Sequence, residues 1–139
     1  MTKILILCTG NSCRSQMAQA FLAGQDPNLE VHSAGTDPSS RVHPMAIEVM
    51  NEIGFDLSRH RPKKVDKYIG QAFDYVVTVC DSAKESCPVF SGKVTHRFHI
   101  EFDDPAEATG TKEHIRQEFR RVRDEIVSDF SEFYNINLK

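Results

Sequence analysis

The sequence lacks any long apolar run, and no stretch of its 139 residues approaches the roughly 20 apolar residues of a bilayer-spanning helix. It also lacks a basic excess, because 20 acidic residues outnumber 17 lysines and arginines, which argues against nucleic-acid binding. Internal repeats and low-complexity tracts are absent as well, which argues against repeat architectures and linkers. With 40% hydrophobic residues, the chain is expected to fold as one domain, residues 1–139, around a single core.

Cysteine is scarce, with four residues in the chain. The stretch MTKILILC lacks the apolar length and the cleavage site of a signal peptide, so we expect a cytoplasmic protein. Thiols stay reduced in that compartment. The four cysteines are therefore expected to be catalytic, redox-active or metal-binding rather than structural.

Four segments have the pattern of short strands. Residues 3–7 form an apolar run typical of a buried parallel strand, and a weaker candidate starts at Val31. Residues 73–79 form the second strong strand, and residues 94–100 form the fourth.

Three segments between and after these strands have helical patterns. Residues 15–24 end at a glycine, and residues 43–54 carry a proline at the start and an apolar stripe that includes Ile53. In residues 115–133 apolar side chains recur every three or four positions, with Thr111 as the candidate cap. This last pattern indicates core packing.

The alternation of strands and helices predicts a three-layer α/β domain, with a central four-stranded parallel sheet and helices on both faces. Ligands bind at the carboxyl ends of the strands in such sheets. Cys8 and Cys80 each follow a strong strand, after Leu7 and Val79. If those strands are neighbours, both cysteines lie at the same sheet edge.

The segment from Cys8 to Arg14 has the composition of an oxyanion-binding loop. Its small residues allow successive backbone N–H groups to turn inward, the following helix adds its positive end, and Arg14 can hold two oxygens at once. The same field is expected to lower the pKa of the Cys8 thiol and produce a nucleophilic thiolate. The alternative is an inert buried cysteine, which leaves Arg14 and Gly10 without a role. The expected oxyanion-binding residues are Thr9, Gly10, Asn11, Ser12, Cys13, Arg14 and Ser15.

The stretch CTGNSCRSQMA resembles the phosphate-binding loop of the low-molecular-weight tyrosine phosphatase superfamily, and specifically of its thioredoxin-coupled arsenate reductases. Further similarities are HSAGT, VVTVC, the Cys80 and Cys87 pair before Pro88, FDDPA and RVRDEI, spread over nearly the whole chain. The resemblance implies the fold of that superfamily, arsenate as substrate and thioredoxin as reductant. We also expect a monomer without cofactor or resident metal.

The resemblance also implies roles for individual residues. Cys8 attacks arsenate, Cys80 attacks the Cys8 sulfur and expels arsenite, and Cys87 attacks Cys80, which leaves a Cys80–Cys87 disulfide for thioredoxin. Asp104, directly before a proline, matches the family's general acid, and Asp103 is the expected bystander. For Cys13 the resemblance gives no required role, so its backbone is expected to matter more than its sulfur.

Three other functions remain open from the sequence. A phosphatase would use the same Cys8, Arg14 and Asp104, but its relatives usually place tyrosines after the Asp-Pro pair, where this chain has Ala106 and Glu107. A non-catalytic redox sensor or oxyanion-binding protein would use the same loop. A zinc site is disfavoured because the cysteine spacing is not that of known zinc motifs. The Cys80 and Cys87 pair, which only the reductase requires, favours arsenate reduction.

The spacing of Cys80 and Cys87 limits the shape of the segment between them. In a helix, seven steps of ~1.5 Å would separate their Cα atoms by roughly 10 Å. A disulfide needs less than about 7 Å. We therefore expect the segment to unwind or bend on oxidation and to act as a mobile redox switch.

Some relatives bind potassium beside the loop through the counterparts of Asn11, a glutamate, Ser33 and an aspartate. In this chain Gln19 stands at the glutamate position, and the aspartate position falls at or near Lys63. A hard cation prefers charged oxygens. We expect instead that the ammonium of Lys63 or Lys64 occupies the cation's place and holds Asn11 directly.

Overall fold

The computed structural model describes all 139 residues, Met1–Lys139. Its four strands are β1 (Thr2–Cys8), β2 (Leu29–Gly35), β3 (Phe73–Thr78) and β4 (Val94–His99). Its α-helices are α1 (Arg14–Ala23), α2 (Pro44–Asn51) and α3 (Lys112–Phe133). Short 3-10 helices span Val65–Tyr68 and Pro105–Glu107, and a π-helical turn, Tyr134–Leu138, ends the chain. None of the helices combines the length and the hydropathy of a membrane span.

The strands form one parallel sheet in the order β2-β1-β3-β4. The chain leaves β1 to build β2 on one side and returns to build β3 on the other, so strand order reverses beside β1. Such a switch point leaves a crevice at the carboxyl ends of the two central strands. The predicted four-stranded parallel sheet is confirmed, and its geometry directs Cys8 into that crevice.

The two faces of the sheet are covered differently. Alternation along β1 sends Ile4 and Ile6 into a large core shared with all three α-helices. Leu5 and Leu7 point to the opposite face, where a smaller core is completed by side chains such as Tyr68 and Phe90. The α/β architecture is confirmed. All three α-helices contribute to the large core, so the second face is covered by a short 3-10 helix and loops, where α-helices were expected on both faces.

The helix ends follow the signals in the sequence, with one exception. Gly24 caps α1, and Thr111 caps α3 by accepting a hydrogen bond of 3.1 Å from the backbone N–H of His114. In α2 the prediction extended too far. The helix ends at Asn51, and Ile53, expected in the apolar stripe, is 38% exposed in the turn before Gly54. The chain reverses there with a positive φ of 90° that glycine adopts without strain.

Gly35 marks the closest backbone approach at the end of β2. A Cβ at this position would lie 2.2 Å from the carbonyl oxygen of Thr9, so β2 can pack against the loop only without a side chain here. Gly35→Ala is expected to lower the free energy of unfolding by about 1–3 kcal/mol, the usual cost of overpacking. The measurement is urea-induced unfolding followed by circular dichroism.

Gly70→Ala is the matched control, because nothing lies within 4 Å of a Cβ at that position. We expect it to leave the free energy of unfolding nearly unchanged. Equal effects of the two substitutions would contradict the steric reason given for Gly35.

Candidate active site

The carboxyl edge of the sheet brings the two predicted cysteine positions together in the fold. Strand β1 ends at Cys8, and β3 ends at Thr78. The backbone N–H of Val79 donates to the carbonyl of Leu7 at 2.9 Å, which extends the pairing to the residue before Cys80. Cys8, the candidate nucleophile, and Cys80, a member of the candidate redox pair, therefore lie at the ends of adjacent strands.

A cavity of about 340 Å³ opens at this edge. None of its lining residues is aromatic, which favours a small polar guest. The cavity is lined by Cys8, Thr9, Gly10, Asn11, Ser12, Cys13, Arg14, Ser39, Glu85, Asp104, Ala106 and Glu107.

Asn11 fixes the shape of the loop. Its φ of 49° lies in the left-handed region, which asparagine tolerates better than most residues. Its buried amide donates to Ser15 Oγ at 2.7 Å and to Ser33 Oγ at 3.0 Å. Its Oδ1 accepts from Gln16 Nε2 at 3.0 Å and from the Lys63 backbone N–H at 2.9 Å. All the hydrogen-bonding capacity of this side chain is used to hold the turn.

Cys8 is held by two donors from the same loop. The backbone N–H of Asn11 donates to its Sγ at 3.1 Å, and Ser15 Oγ lies 2.8 Å from the sulfur. Because Ser15 already accepts from Asn11, its own hydrogen is free to point at Cys8. Both contacts stabilise a thiolate relative to a thiol.

The charge state of Cys8 differs from the expectation. Burial dominates and raises the pKa of the Cys8 thiol, although Ser15, Arg14 and Asn11 act in the opposite direction. The predicted low pKa is therefore wrong for this disulfide-bonded state. The physical reason is that Cys8 is only 2% exposed, so the cost of burying the charged form outweighs these contacts.

Arg14 stands at the first turn of α1, with its guanidinium buried in the cavity wall. It donates to the carbonyl oxygen of Phe102 at 3.2 Å, which orients the planar group. Two further N–H groups bind the carboxylate of Glu85, at 2.6 Å and 2.8 Å. A carboxylate thus takes the forked contact that an oxyanion would use.

The two aspartates before Pro105 point in different directions. Asp104 lies at the cavity with its Oδ2 3.6 Å from Arg14, and its Oδ1 caps the following 3-10 helix by accepting from the Ala106 N–H at 3.0 Å. Asp103 instead pairs with Arg121 on α3 at 3.1 Å. The geometry places Asp104, and not Asp103, where a proton donor to a bound oxyanion would be.

Cys80 and Cys87 form a disulfide with a Cα–Cα distance of 5.8 Å. The segment between them is a single turn, in which the N–H groups of Lys84 and Glu85 donate to the Asp81 carbonyl, and it continues into extended chain. The expectation that the oxidised segment is not a full helix is confirmed. Cys80 is fully buried, whereas Cys87 is half-buried.

Thr9, Gly10, Ser12 and Cys13, the other predicted loop residues, also line the cavity. Thr9 donates its hydroxyl to Glu85 at 3.0 Å, and Ser12 Oγ lies 3.6 Å from Cys13 Sγ. Burial raises the pKa of Cys13 to about 12, so its thiol is protonated and unreactive at neutral pH. Gly10 leaves the cavity mouth open opposite Ser39.

The expectation that the ammonium of Lys63 or Lys64 holds Asn11 is wrong. Lys63 does contact Asn11, but through its backbone N–H, while its ammonium donates to the Arg61 carbonyl at 3.0 Å. Lys64 pairs with Asp66 at 3.8 Å. An ammonium therefore does not hold Asn11, because the β2-to-loop bridge brings the main chain close enough to do so.

Sequence reasoning missed two polar residues of this site, Gln16 and Glu85. Gln16, Gln19 and Ser33 complete the network around Asn11, with Ser33 accepting from Asn11 and donating to Gln19. Glu85 was missed because its partner, Arg14, is 71 residues away in the chain. The one sequence feature that could have indicated a role for Glu85 was its position between Cys80 and Cys87.

Comparison with known proteins agrees with the geometry. The family model described as low molecular weight phosphotyrosine protein phosphatase matches residues 3–138. The chain belongs to this family. Within it, the arsenate reductase of Shouchella clausii is 43% identical over 131 residues, covering 94% of this chain and 93% of the relative. The predicted family membership is confirmed.

Solved structures of the family give the same fold. An arsenate reductase in the phosphate binding state superposes with a TM-score of 0.80 at 28% identity, covering 96% of both chains. A thioredoxin-dependent arsenate reductase of Corynebacterium glutamicum gives a TM-score of 0.57 at 26% identity, covering 95% of this chain and 63% of that one.

The contact between Ser15 and Cys8 leads to a prediction for this family member. Ser15→Ala removes a donor to the thiolate, so the pKa of Cys8 should rise by about one unit, the value of one hydrogen bond to a charged group. In the disulfide-bonded protein Cys8 and Cys13 are the free thiols. The measurement is the pH dependence of Cys8 alkylation by iodoacetamide, read by mass spectrometry.

Ser12→Ala is the control, because its hydroxyl contacts Cys13 and not Cys8. We expect it to leave the alkylation midpoint in place. A midpoint unmoved by Ser15→Ala, or moved equally by both substitutions, would show that the serine hydroxyl does not stabilise the thiolate.

Proposed function

We propose that the protein reduces arsenate to arsenite through a three-thiol relay of Cys8, Cys80 and Cys87. The observation that carries the proposal is the Cys80–Cys87 disulfide, which lies beside an oxyanion loop holding Cys8 and Arg14. A phosphatase or an oxyanion-binding protein needs the loop but has no use for the pair.

The first step joins Cys8 to arsenic. Arsenate enters the cavity, where Arg14 and the N–H groups of the loop neutralise its oxygens. The Cys8 thiolate attacks arsenic, and Asp104 gives its proton to the oxygen that leaves as water. The result is a covalent thiol-arsenate adduct, with arsenic still in its oxidised, pentavalent state.

The second step transfers two electrons. The Cys80 thiolate attacks the sulfur of Cys8, a Cys8–Cys80 disulfide forms, and the sulfur–arsenic bond breaks with its electron pair remaining on arsenic. Arsenic leaves as trivalent arsenite. Cys87 then attacks Cys80, so Cys8 departs as a thiolate and the Cys80–Cys87 disulfide remains. Two thiols have been oxidised for one arsenate reduced.

Regeneration needs a dithiol, and we propose thioredoxin. Cys87 is the more exposed sulfur of the disulfide, so an incoming thiolate attacks Cys87 and releases Cys80. The thioredoxin-dependent structural relative supports this choice. The cytoplasm supplies such reductants, and we propose that the protein acts there as a monomer.

The cavity lining bears on the choice of substrate. Ala106 and Glu107 stand at the entrance and no aromatic wall is present, which supports a small inorganic oxyanion over phosphotyrosine. Weak hydrolysis of aryl phosphates is expected from the shared Cys8, Arg14 and Asp104.

The relay is tested by arsenate-dependent NADPH consumption in the presence of thioredoxin and its reductase. Wild-type protein should turn over repeatedly. Cys87→Ser should release about one arsenite per protein and stop with Cys8 and Cys80 joined, because nothing resolves that disulfide. Cys80→Ser should release none.

Ser86→Ala is the matched control, since it changes a side chain of the same segment that has no part in the relay. It should keep steady-state turnover. Continued turnover in both cysteine variants would refute the three-thiol relay.

A further inference from the structure

Glu85 forms an ion pair with Arg14 in the cavity, yet the relay gives Glu85 no role. Its carboxylate forms a two-pronged ion pair with Arg14, at 2.6 Å and 2.8 Å, and accepts from the Thr9 hydroxyl at 3.0 Å. The Asp81 backbone N–H adds a fourth donor at 2.9 Å. These contacts lower the pKa of Glu85 to about 2, with the Arg14 hydrogen bond as the largest cause.

The contact depends on the shape of the disulfide-bonded segment. Glu85 lies two residues before Cys87, in the turn that begins at Asp81. Closing the disulfide holds the Cα atoms of Cys80 and Cys87 at 5.8 Å, well below the roughly 10 Å of a helical segment. A second anchor, Ser82, donates its N–H and its hydroxyl to Glu101 at 2.9 Å and 2.6 Å. The turn thus presents Glu85 to Arg14 while the disulfide is closed.

We propose that Glu85 is a redox-linked plug: in the disulfide state its carboxylate occupies the place of the substrate oxyanion on Arg14, so the spent protein cannot bind another oxyanion until the disulfide is reduced. The proposal rests on the function above, because it assumes that the disulfide is the spent state. The proposal adds Glu85 to the reaction cycle, as the residue that prevents oxyanion binding while the disulfide is closed.

While Glu85 is bound, the guanidinium of Arg14 has no free pair of N–H donors for the two oxygens of an oxyanion. Both terminal nitrogens of the guanidinium contact the Glu85 carboxylate, and one of them also donates to the Phe102 carbonyl. An entering oxyanion would need the same N–H groups and would meet a carboxylate of like charge in the same cavity. The two anions therefore compete for one cation.

The plug also bears on the nucleophile that shares the cavity. Burial raises the pKa of the Cys8 thiol, and the charge of Arg14 acts in the opposite direction. Withdrawal of Glu85 frees the guanidinium to stabilise both the oxyanion and the thiolate. Opening the disulfide takes two electrons and two protons, which a dithiol supplies as it closes its own disulfide.

Competition at Arg14 has a thermodynamic counterpart. If an oxyanion binds the dithiol state more tightly than the disulfide state by some factor, it must favour reduction of the disulfide by the same factor. Substrate would then make the spent protein easier to reduce.

Titration calorimetry with inorganic phosphate, a non-reducible mimic of arsenate, tests the plug without turnover. Wild-type protein should bind phosphate at least about tenfold more tightly as the dithiol than as the disulfide, the scale of a lost charge-assisted hydrogen bond. In Glu85→Gln and Glu85→Ala the disulfide form should gain that affinity, so the gap between redox states closes. Thiol titration verifies that each variant keeps its disulfide.

Glu107→Gln is the matched control, because this carboxylate lines the same cavity without a bond to Arg14. It should preserve the gap. The proposal is overturned if wild-type protein binds phosphate equally in both redox states, if the Glu85 variants keep the gap, or if Glu107→Gln closes it as fully. Failure of arsenate turnover would refute the relay while leaving these binding outcomes readable.

Discussion

The site depends on a left-handed turn at Asn11 that the surrounding side chains hold in place. A positive φ at a non-glycine residue is uncommon and persists only where the structure compensates. Here Ser15, Ser33, Gln16 and the Lys63 main chain satisfy every polar atom of the Asn11 side chain. The loop fixed in this way lines one cavity together with Cys8 and Arg14, and the N–H of Asn11 donates to the Cys8 sulfur.

Parallel strand pairing then links this loop to the redox chemistry. Strands β1 and β3 are neighbours, so their ends, Cys8 and Thr78, meet at one sheet edge although they are 70 residues apart in sequence. The segment after β3 carries the disulfide and, between its two cysteines, Glu85. One short segment thus carries both the Cys80–Cys87 disulfide and the carboxylate that engages Arg14. The redox state of the segment and anion binding at Arg14 are therefore linked.

The sequence was informative where local patterns decide structure. The four strands, the loop from Cys8 to Arg14 and the helix caps follow from residue types at fixed spacings. The low pKa predicted for Cys8 was wrong, because burial of the thiol, which arises only in the folded chain, outweighs the contacts of Ser15, Arg14 and Asn11. The contact of Lys63 was assigned to its ammonium, because spacing alone cannot distinguish a side chain from a main chain that passes nearby.

The relay is tested most directly by mapping the thiols of reduced protein after one equivalent of arsenate, with no other reductant present. The expected result is one arsenite released per protein, a Cys80–Cys87 disulfide, and Cys8 and Cys13 free in the peptide map. A disulfide that retains Cys8 after completion, or four free thiols with arsenate unchanged, would contradict the transfer of two electrons from the distant cysteine pair through Cys8.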